Sequence, residues 1–243
     1  MLIAPAVMAA PGATPTCEKT VYLTLDTGNM SVAEPIAALL TKHHIKATFF
    51  LANEKTIQGG WSLGDEWKPY WKARVAEGHA FGTHTFDHVY TAPGPAITVR
   101  PQFGANAGRT LKWTPDAYCA ELRRVDARFT ELTQAKLDPL WRAPGGRTTP
   151  ATLDAARQCG YGRHWGWAAA GFLGDELPSD RYPNQLLLER ALKNIKSGDV
   201  LMAHLGIWSR QDAFAPMLDP LITGLKAKGF CFATLREHPE FGR

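Results

Sequence analysis

The sequence predicts an α/β fold, a single-domain (β/α) barrel that is distorted or incomplete and has about seven to eight strands. Short β-rich apolar runs alternate with amphipathic helical segments from Val21 to Leu235, the pattern of a mostly parallel sheet covered by helices. The chain has 243 residues, 45% hydrophobic and 21% charged. No linker, internal repeat or low-complexity tract divides it, so one domain accounts for its length. The composition excludes a disordered tail protein, a collagen-like repeat and a coiled coil. A barrel of this kind carries its chemistry at the C-terminal ends of its strands, so polar residues there are the candidates for function.

The elements follow in order. Val21–Asp26 reads as a first buried strand. Ser31 starts a helix, with Ser31 and Glu34 spaced as a capping box and Val32, Ile36, Leu39 and Leu40 on one face. Ala47–Ala52 is a second strand, residues 53–70 a Gly- and Trp-rich loop, and Trp71–Ala76 part of a helix stopped by Gly78. Ala80–His84 is a third strand. Residues 89–113, with Pro93, Pro95 and Pro101, read as a surface excursion. Thr114-Pro115 opens the clearest helix, where Tyr118, Leu122, Val125, Phe129 and Leu132 recur at helical spacing. Leu140–Ala143 is expected to be a strand, Pro150–Cys159 a helix and His164–Ala169 a strand. A helix at Asn184–Ser197, a strand at Val200–His204, a helix at Pro216–Lys228 and a strand at Phe230–Leu235 complete the pattern.

Net charge is +4 with no run of five like charges, so the chain lacks the electrostatic footprint of a nucleic-acid binder. No apolar stretch is long enough to span a membrane. Residues 1–16, small and apolar with three prolines, read as a signal-peptide remnant or a flexible lead, without the basic residues a complete signal would carry. An exported chain, periplasmic or secreted, is expected. Four cysteines, none in a C-x-x-C pair, then suggest two disulfides with three possible pairings. Cys17 precedes the first strand and Cys231 lies in the last, and these strands are neighbours in a closed barrel, favouring Cys17–Cys231. Cys119 and Cys159, both on predicted helices, would form the other pair. Four buried free thiols are the alternative.

Four strand ends carry distinctive polar groups. His84 and His88, four residues apart, would project to one side if the chain turns helically after His84, a spacing suited to a divalent metal. Unrelated surface histidines are the plainer reading of such a pair alone. Asp26 ends an apolar strand, where a carboxylate is costly unless paired; it is either a turn former or the partner of a cation. Arg142, at the end of the fourth strand, could be that cation. His204 ends the Val200–His204 strand, where a lone histidine is often simply a buried, hydrogen-bonded one. Together these groups compose a metal-assisted hydrolase site.

At this point the sequence resembles the polysaccharide deacetylases, the NodB-homology carbohydrate esterases of family 4, over about residues 20–236. Thr24-Leu25-Asp26-Thr27-Gly28 resembles the family's Thr-Phe-Asp-Asp-Gly. His84-Thr85-Phe86-Asp87-His88 matches His-Ser/Thr-x-x-His. Arg142-Ala143-Pro144-Gly145-Gly146 matches Arg-x-Pro-aromatic-Gly except for Gly145, and Met202-Ala203-His204 matches a strand ending Leu-x-His. The resemblance implies a catalytic domain over residues 17–243 of the NodB-homology type. It implies a metal, Zn2+ foremost with Co2+ or Ni2+ as alternatives, held by His84 and His88. Asp26 would be the general base, Arg142 its orienting partner and His204 the general acid for the leaving amine. A backbone N–H near Gly145 or Gly146 would stabilise the oxyanion. The implied reaction is removal of N-linked acetyl groups from a peptidoglycan- or chitin-like polysaccharide.

Two departures qualify these expectations. Thr27 stands where the family has its third metal ligand, an aspartate, so weak metal binding is expected, with water, Asn29, Asp87, Asp175 or a shifted Asp26 completing the set. The family's Asp-x-x-Asp-Trp motif is not clean at Trp165–Ala170, and Asp175 is the nearest candidate for tuning His204. Trp208, four residues after His204, and Trp167 are candidates to stack on a sugar ring or to pack loops onto the barrel. The competing readings are a degenerate member that binds glycan without turnover, and a hydrolase of another C–N bond in a small amide.

Overall fold

The computed structural model describes residues 17–241, so the signal-sequence expectation for residues 1–16 lies outside the described residues. The elements are β1 (Lys19–Asp26), α1 (Ala33–Lys42), β2 (Thr48–Leu51), α2 (Lys68–Ala76) and β3 (Ala80–Thr83). Then come β4 (Val89–Thr91), β5 (Ile97–Pro101), β6 (Leu111–Trp113), α3 (Pro115–Thr133) and α4 (Pro150–Gln158). α5 (Asn184–Asn194), β7 (Val200–His204), α6 (Leu218–Ala227) and β8 (Phe230–Ala233) follow.

β1 is central and runs parallel to three neighbours. Asp26 lies opposite Phe50 of β2 and His204 of β7, and Thr20 lies opposite Cys231 of β8. β2 pairs with β3, also in parallel. Both faces of such a sheet are covered, which explains why β1 is buried without alternation from Val21 to Asp26. The stripe expected on α3 is the one it buries: Tyr118, Leu122, Val125, Phe129 and Leu132. Thr114 caps that helix by accepting the Ala117 N–H at 3.2 Å.

Beyond β3 the wall of the barrel thins to single parallel bridges. Thr83 bridges to Trp141, Trp141 to His164, and Phe172 to Met202 of β7. The strands expected at Leu140–Ala143 and His164–Ala169 are thus reduced to one bridging residue each. Two local causes account for this. A tight turn over Pro144–Gly146 begins three residues after Trp141, and the Trp165 and Gly166 carbonyls accept from the Arg142 guanidinium at 2.7 and 3.0 Å.

Two further expectations are corrected. The Ser31–Glu34 capping box does not form. α1 starts at Ala33 with Val32 as its uncapped N-cap residue, because the Asn29 carboxamide takes the Ser31 N–H at 3.0 Å and turns the chain itself. The surface excursion at 89–113 contains a second, antiparallel sheet in the order β4-β5-β6.

Two disulfides are present, Cys17–Cys231 and Cys119–Cys159. The first joins the start of β1 to β8, the strand adjacency from which it was expected; the second ties α3 to the end of α4. Among the described residues no helix is long and apolar enough to cross a membrane.

Candidate active site

The centre of the site is a buried ion pair. Asp26, 2% exposed at the end of β1, accepts from Arg142 Nη1 at 2.7 Å. The Trp165 and Gly166 carbonyls hold the rest of the guanidinium, and the Phe50 ring lies 4.2 Å from its Cζ. Burial works to raise the Asp26 pKa, but the charge of Arg142, followed by His84 and His204, outweighs it and leaves the carboxyl below its ordinary value. The pair is therefore an ionised carboxylate with one fixed cationic partner.

His84 follows β3. A carbonyl can only accept, so its Nδ1–H donates to the Arg142 carbonyl at 2.9 Å, which leaves Nε2 bare and 3.6 Å from Asp26 Oδ2. Burial pushes the imidazole down to about 4, so it is neutral at pH 7. The expectation of a helical turn onto His88 is corrected. The chain instead turns through two left-handed residues, Thr85 at φ 62° and His88 at φ 48°. A β-branched residue there is strained; the Thr85 hydroxyl, accepting the Val89 N–H at 2.7 Å, holds it in place. The outcome is the one anticipated, with the two imidazole rings 5.0 Å apart.

His204, at the end of β7, sits beside Asp26 because the two residues are register partners. The Asp175 carboxylate takes both the His204 backbone N–H at 2.7 Å and the ring Nδ1–H at 3.1 Å. Burial opposes protonation of this ring, but Asp175 and then Asp26 and Glu176 override it and raise its pKa to about 9. At neutral pH His204 carries a proton.

These groups open into one cavity of about 450 Å³. Its lining includes Asp26, Glu54, His84, His88, Trp167 and His204, and Gly145 and Trp208 also border it. Trp208 is 62% exposed and continues into an adjoining cavity of about 230 Å³ that contains Asp175 and Asn29. Of the two expected oxyanion donors, Gly146 is removed: its N–H closes the local turn onto the Ala143 carbonyl at 2.8 Å. Asn29, Asp87 and Asp175, the expected alternatives for a third ligand, each have another partner here. Asn29 holds the Ser31 N–H, Asp87 is paired with Arg124 at 2.9 Å, and Asp175 is engaged by His204.

Sequence reasoning missed three neighbours. Glu54, three residues beyond β2, is 8% exposed, and its Oε1 accepts from Thr27 Oγ1 at 2.6 Å and Gly28 N at 2.7 Å. Gly28 is needed at that turn: a Cβ there would lie 2.1 Å from the Gly206 carbonyl oxygen. Tyr90 packs where the motif aromatic is absent, its ring 3.0 Å from the position a Gly145 Cβ would take. Glu176 Oε2 lies 3.8 Å from His204 Nε2. The usable signal for Glu54 was a carboxylate just past an apolar strand, the same feature that singled out Asp26.

The donor set fits a divalent metal in kind. Two imidazoles, one with its second nitrogen held by a carbonyl, next to buried carboxylates suit zinc or cobalt. Among the described residues, no three His, Cys, Asp or Glu side chains are gathered at ligand spacing, so closure on a cation requires side-chain rotation.

Comparison with solved structures identifies the architecture first. The chain superposes on a family 4 acetyl xylan esterase from Clostridium thermocellum, solved with a cobalt ion, with a TM-score of 0.65 and 19% identity over 90% of this chain and 89% of that one. A family 4 pseudoenzyme from Bacillus anthracis gives a TM-score of 0.66 at 21% identity, over 93% of this chain and 66% of that one. At such identities the likeness speaks for the fold, the distorted NodB-type barrel of carbohydrate esterase family 4. The chain belongs to the polysaccharide deacetylase family, whose profile matches residues 13–164. It is 25% identical to a peptidoglycan-N-acetylglucosamine deacetylase of Bacillus cereus, over 92% of this chain and 89% of that protein. It is 28% identical to the peptidoglycan-N-acetylmuramic acid deacetylase PdaA of Bacillus subtilis, over 90% of this chain and 71% of that one.

Proposed function

We propose that residues 17–243 form a metal-dependent deacetylase that removes N-linked acetyl groups from a peptidoglycan- or chitin-like polysaccharide outside the cytoplasm. One observation carries this reading. Asp26 and His204 are register partners on adjacent strands, and Arg142 keeps the first ionised while Asp175 keeps the second protonated. A base and an acid poised in opposite states over one cavity are what amide hydrolysis requires.

His84 and His88 would hold Zn2+, Co2+ or Ni2+, which when bound supplies Lewis acidity for the acetyl carbonyl and the attacking water. Asp26 takes the proton of that water, and Arg142 keeps its carboxylate aimed. His204 gives its proton to the sugar nitrogen as the C–N bond breaks, so acetate and a free amine leave. The Gly145 N–H, at the cavity edge, is the backbone donor for the oxyanion, and Trp208 and Trp167 present aromatic faces to the glycan. The two disulfides suit an oxidising compartment, which supports periplasmic or secreted placement, as do the cell-wall substrates in the names of the relatives.

The test is acetate release from N-acetylglucosamine oligomers and peptidoglycan by wild type and His84→Ala, with and without added Zn2+ or Co2+. Metal-stimulated release by wild type, lost in the variant, is expected; activity indifferent to both changes would remove the metal mechanism. Thr27, in place of a carboxylate, favours a second reading, a glycan binder without turnover. Saturable glycan binding with no acetate under metal saturation would establish it.

A further inference from the structure

We propose that Glu54 supplies the carboxylate ligand that position 27 lacks, and that Thr27 has become the residue that positions it. This rests on the reading of His84 and His88 as metal ligands. Thr27, fully buried just after β1, is not a free donor group. Its hydroxyl proton points to Glu54 Oε1 at 2.6 Å, and its oxygen accepts the Ala52 N–H at 3.1 Å. The Gly28 N–H adds a second bond to the same Oε1 at 2.7 Å. One carboxylate oxygen is therefore clamped by two donors, and Oε2 has no hydrogen bond among the described residues. Glu54 also borders the cavity with both histidines.

Charge gives an independent reason. An ionised carboxylate in a buried place requires a compensating positive charge. Asp26 has Arg142, but among the described residues no lysine or arginine lies within ion-pair distance of Glu54. A divalent cation between Oε2 and the two imidazole nitrogens would satisfy this charge and complete a two-histidine, one-carboxylate set. The weak binding expected from Thr27 alone then no longer follows, because the carboxylate has moved from β1 to the loop after β2.

Co2+ titrations of apo wild type, Glu54→Gln, Thr27→Val and His84→Ala, followed by visible absorption, separate the possibilities; circular dichroism confirms that each variant is folded. Wild type should bind one Co2+ per chain. E54Q should bind more than about tenfold weaker with an altered spectrum, and T27V should lose about tenfold, as expected for a residue that orients a ligand. E54Q with wild-type affinity and spectrum, while H84A loses binding, would overturn the role of Glu54 and leave the metal site standing. Wild type that binds no Co2+, or H84A that binds as wild type does, would overturn the metal site and Glu54 with it. Anomalous diffraction from wild-type crystals soaked in Zn2+ needs no variant. A Glu54 oxygen at about 2.0–2.2 Å from the ion supports the proposal, and an ion on the histidines with both Glu54 oxygens beyond that distance overturns it.

Discussion

Arg142 has no exposed surface and spends its guanidinium on Asp26 and two carbonyls. Arg142→Met should therefore lower stability by about 3–5 kcal/mol at pH 7, because it leaves a buried charge without a partner. The pH dependence has a definite sign. The folded-state pKa of Asp26 lies below its ordinary 3.8, so its contribution is present above that value and lost as pH falls through the folded pKa. In R142M the Asp26 pKa rises and the loss begins at higher pH, which urea unfolding between pH 3 and 7 would show. His204 behaves in the opposite sense. Its pKa is raised from 6.5 to about 9, so its contribution is full below 6.5 and lost as pH rises through about 9. Asp175→Asn should move the alkaline limb of the kcat profile down by about one pH unit or more, and the His204 ring should titrate at correspondingly lower pH by NMR. A limb that stays in place would remove Asp175 as the residue that sets the protonation of His204.

At the level of elements, the Cys119–Cys159 bond joins two helices that pack side by side, 40 residues apart in sequence. Replacing both cysteines by serine should cost about 2–4 kcal/mol, read as a lower urea midpoint, with the cavity groups on β1, β3 and β7 left in register. Where an element was legible, its own residues carried the signal: the Val200–His204 strand has the expected bounds, and the α3 stripe is buried in full. The two thinned strands were not legible: the Pro144–Gly146 turn cuts the first short, and the carbonyls at Trp165 and Gly166 in the second are taken by Arg142 from the first. Glu54 was hidden for a related reason. Its loop is rich in Gly and Trp and reads as turn chemistry, and only the pairing of β1 with β2 brings it under Thr27. Asp26, His84 and His204 stood out because each ends a strand, or follows one, whose apolar run is plain in the sequence; Arg142 stood out as a cation beside Trp141, which forms a bridge rather than a strand.

Over the whole molecule, the pairing of cysteines could be argued from topology because the barrel makes its first and last strands neighbours, as β1 and β8 are. The antiparallel sheet within 89–113 could not, since its strands are three to five residues long and its prolines suggest only turns. The Cys17–Cys231 bond has a further outcome. Most of the described chain lies between these two sulfurs, so it is covalently a ring. A single protease nick in an exposed hairpin, such as the one around Gly94, would leave one continuous molecule, and separate fragments would emerge only after reduction.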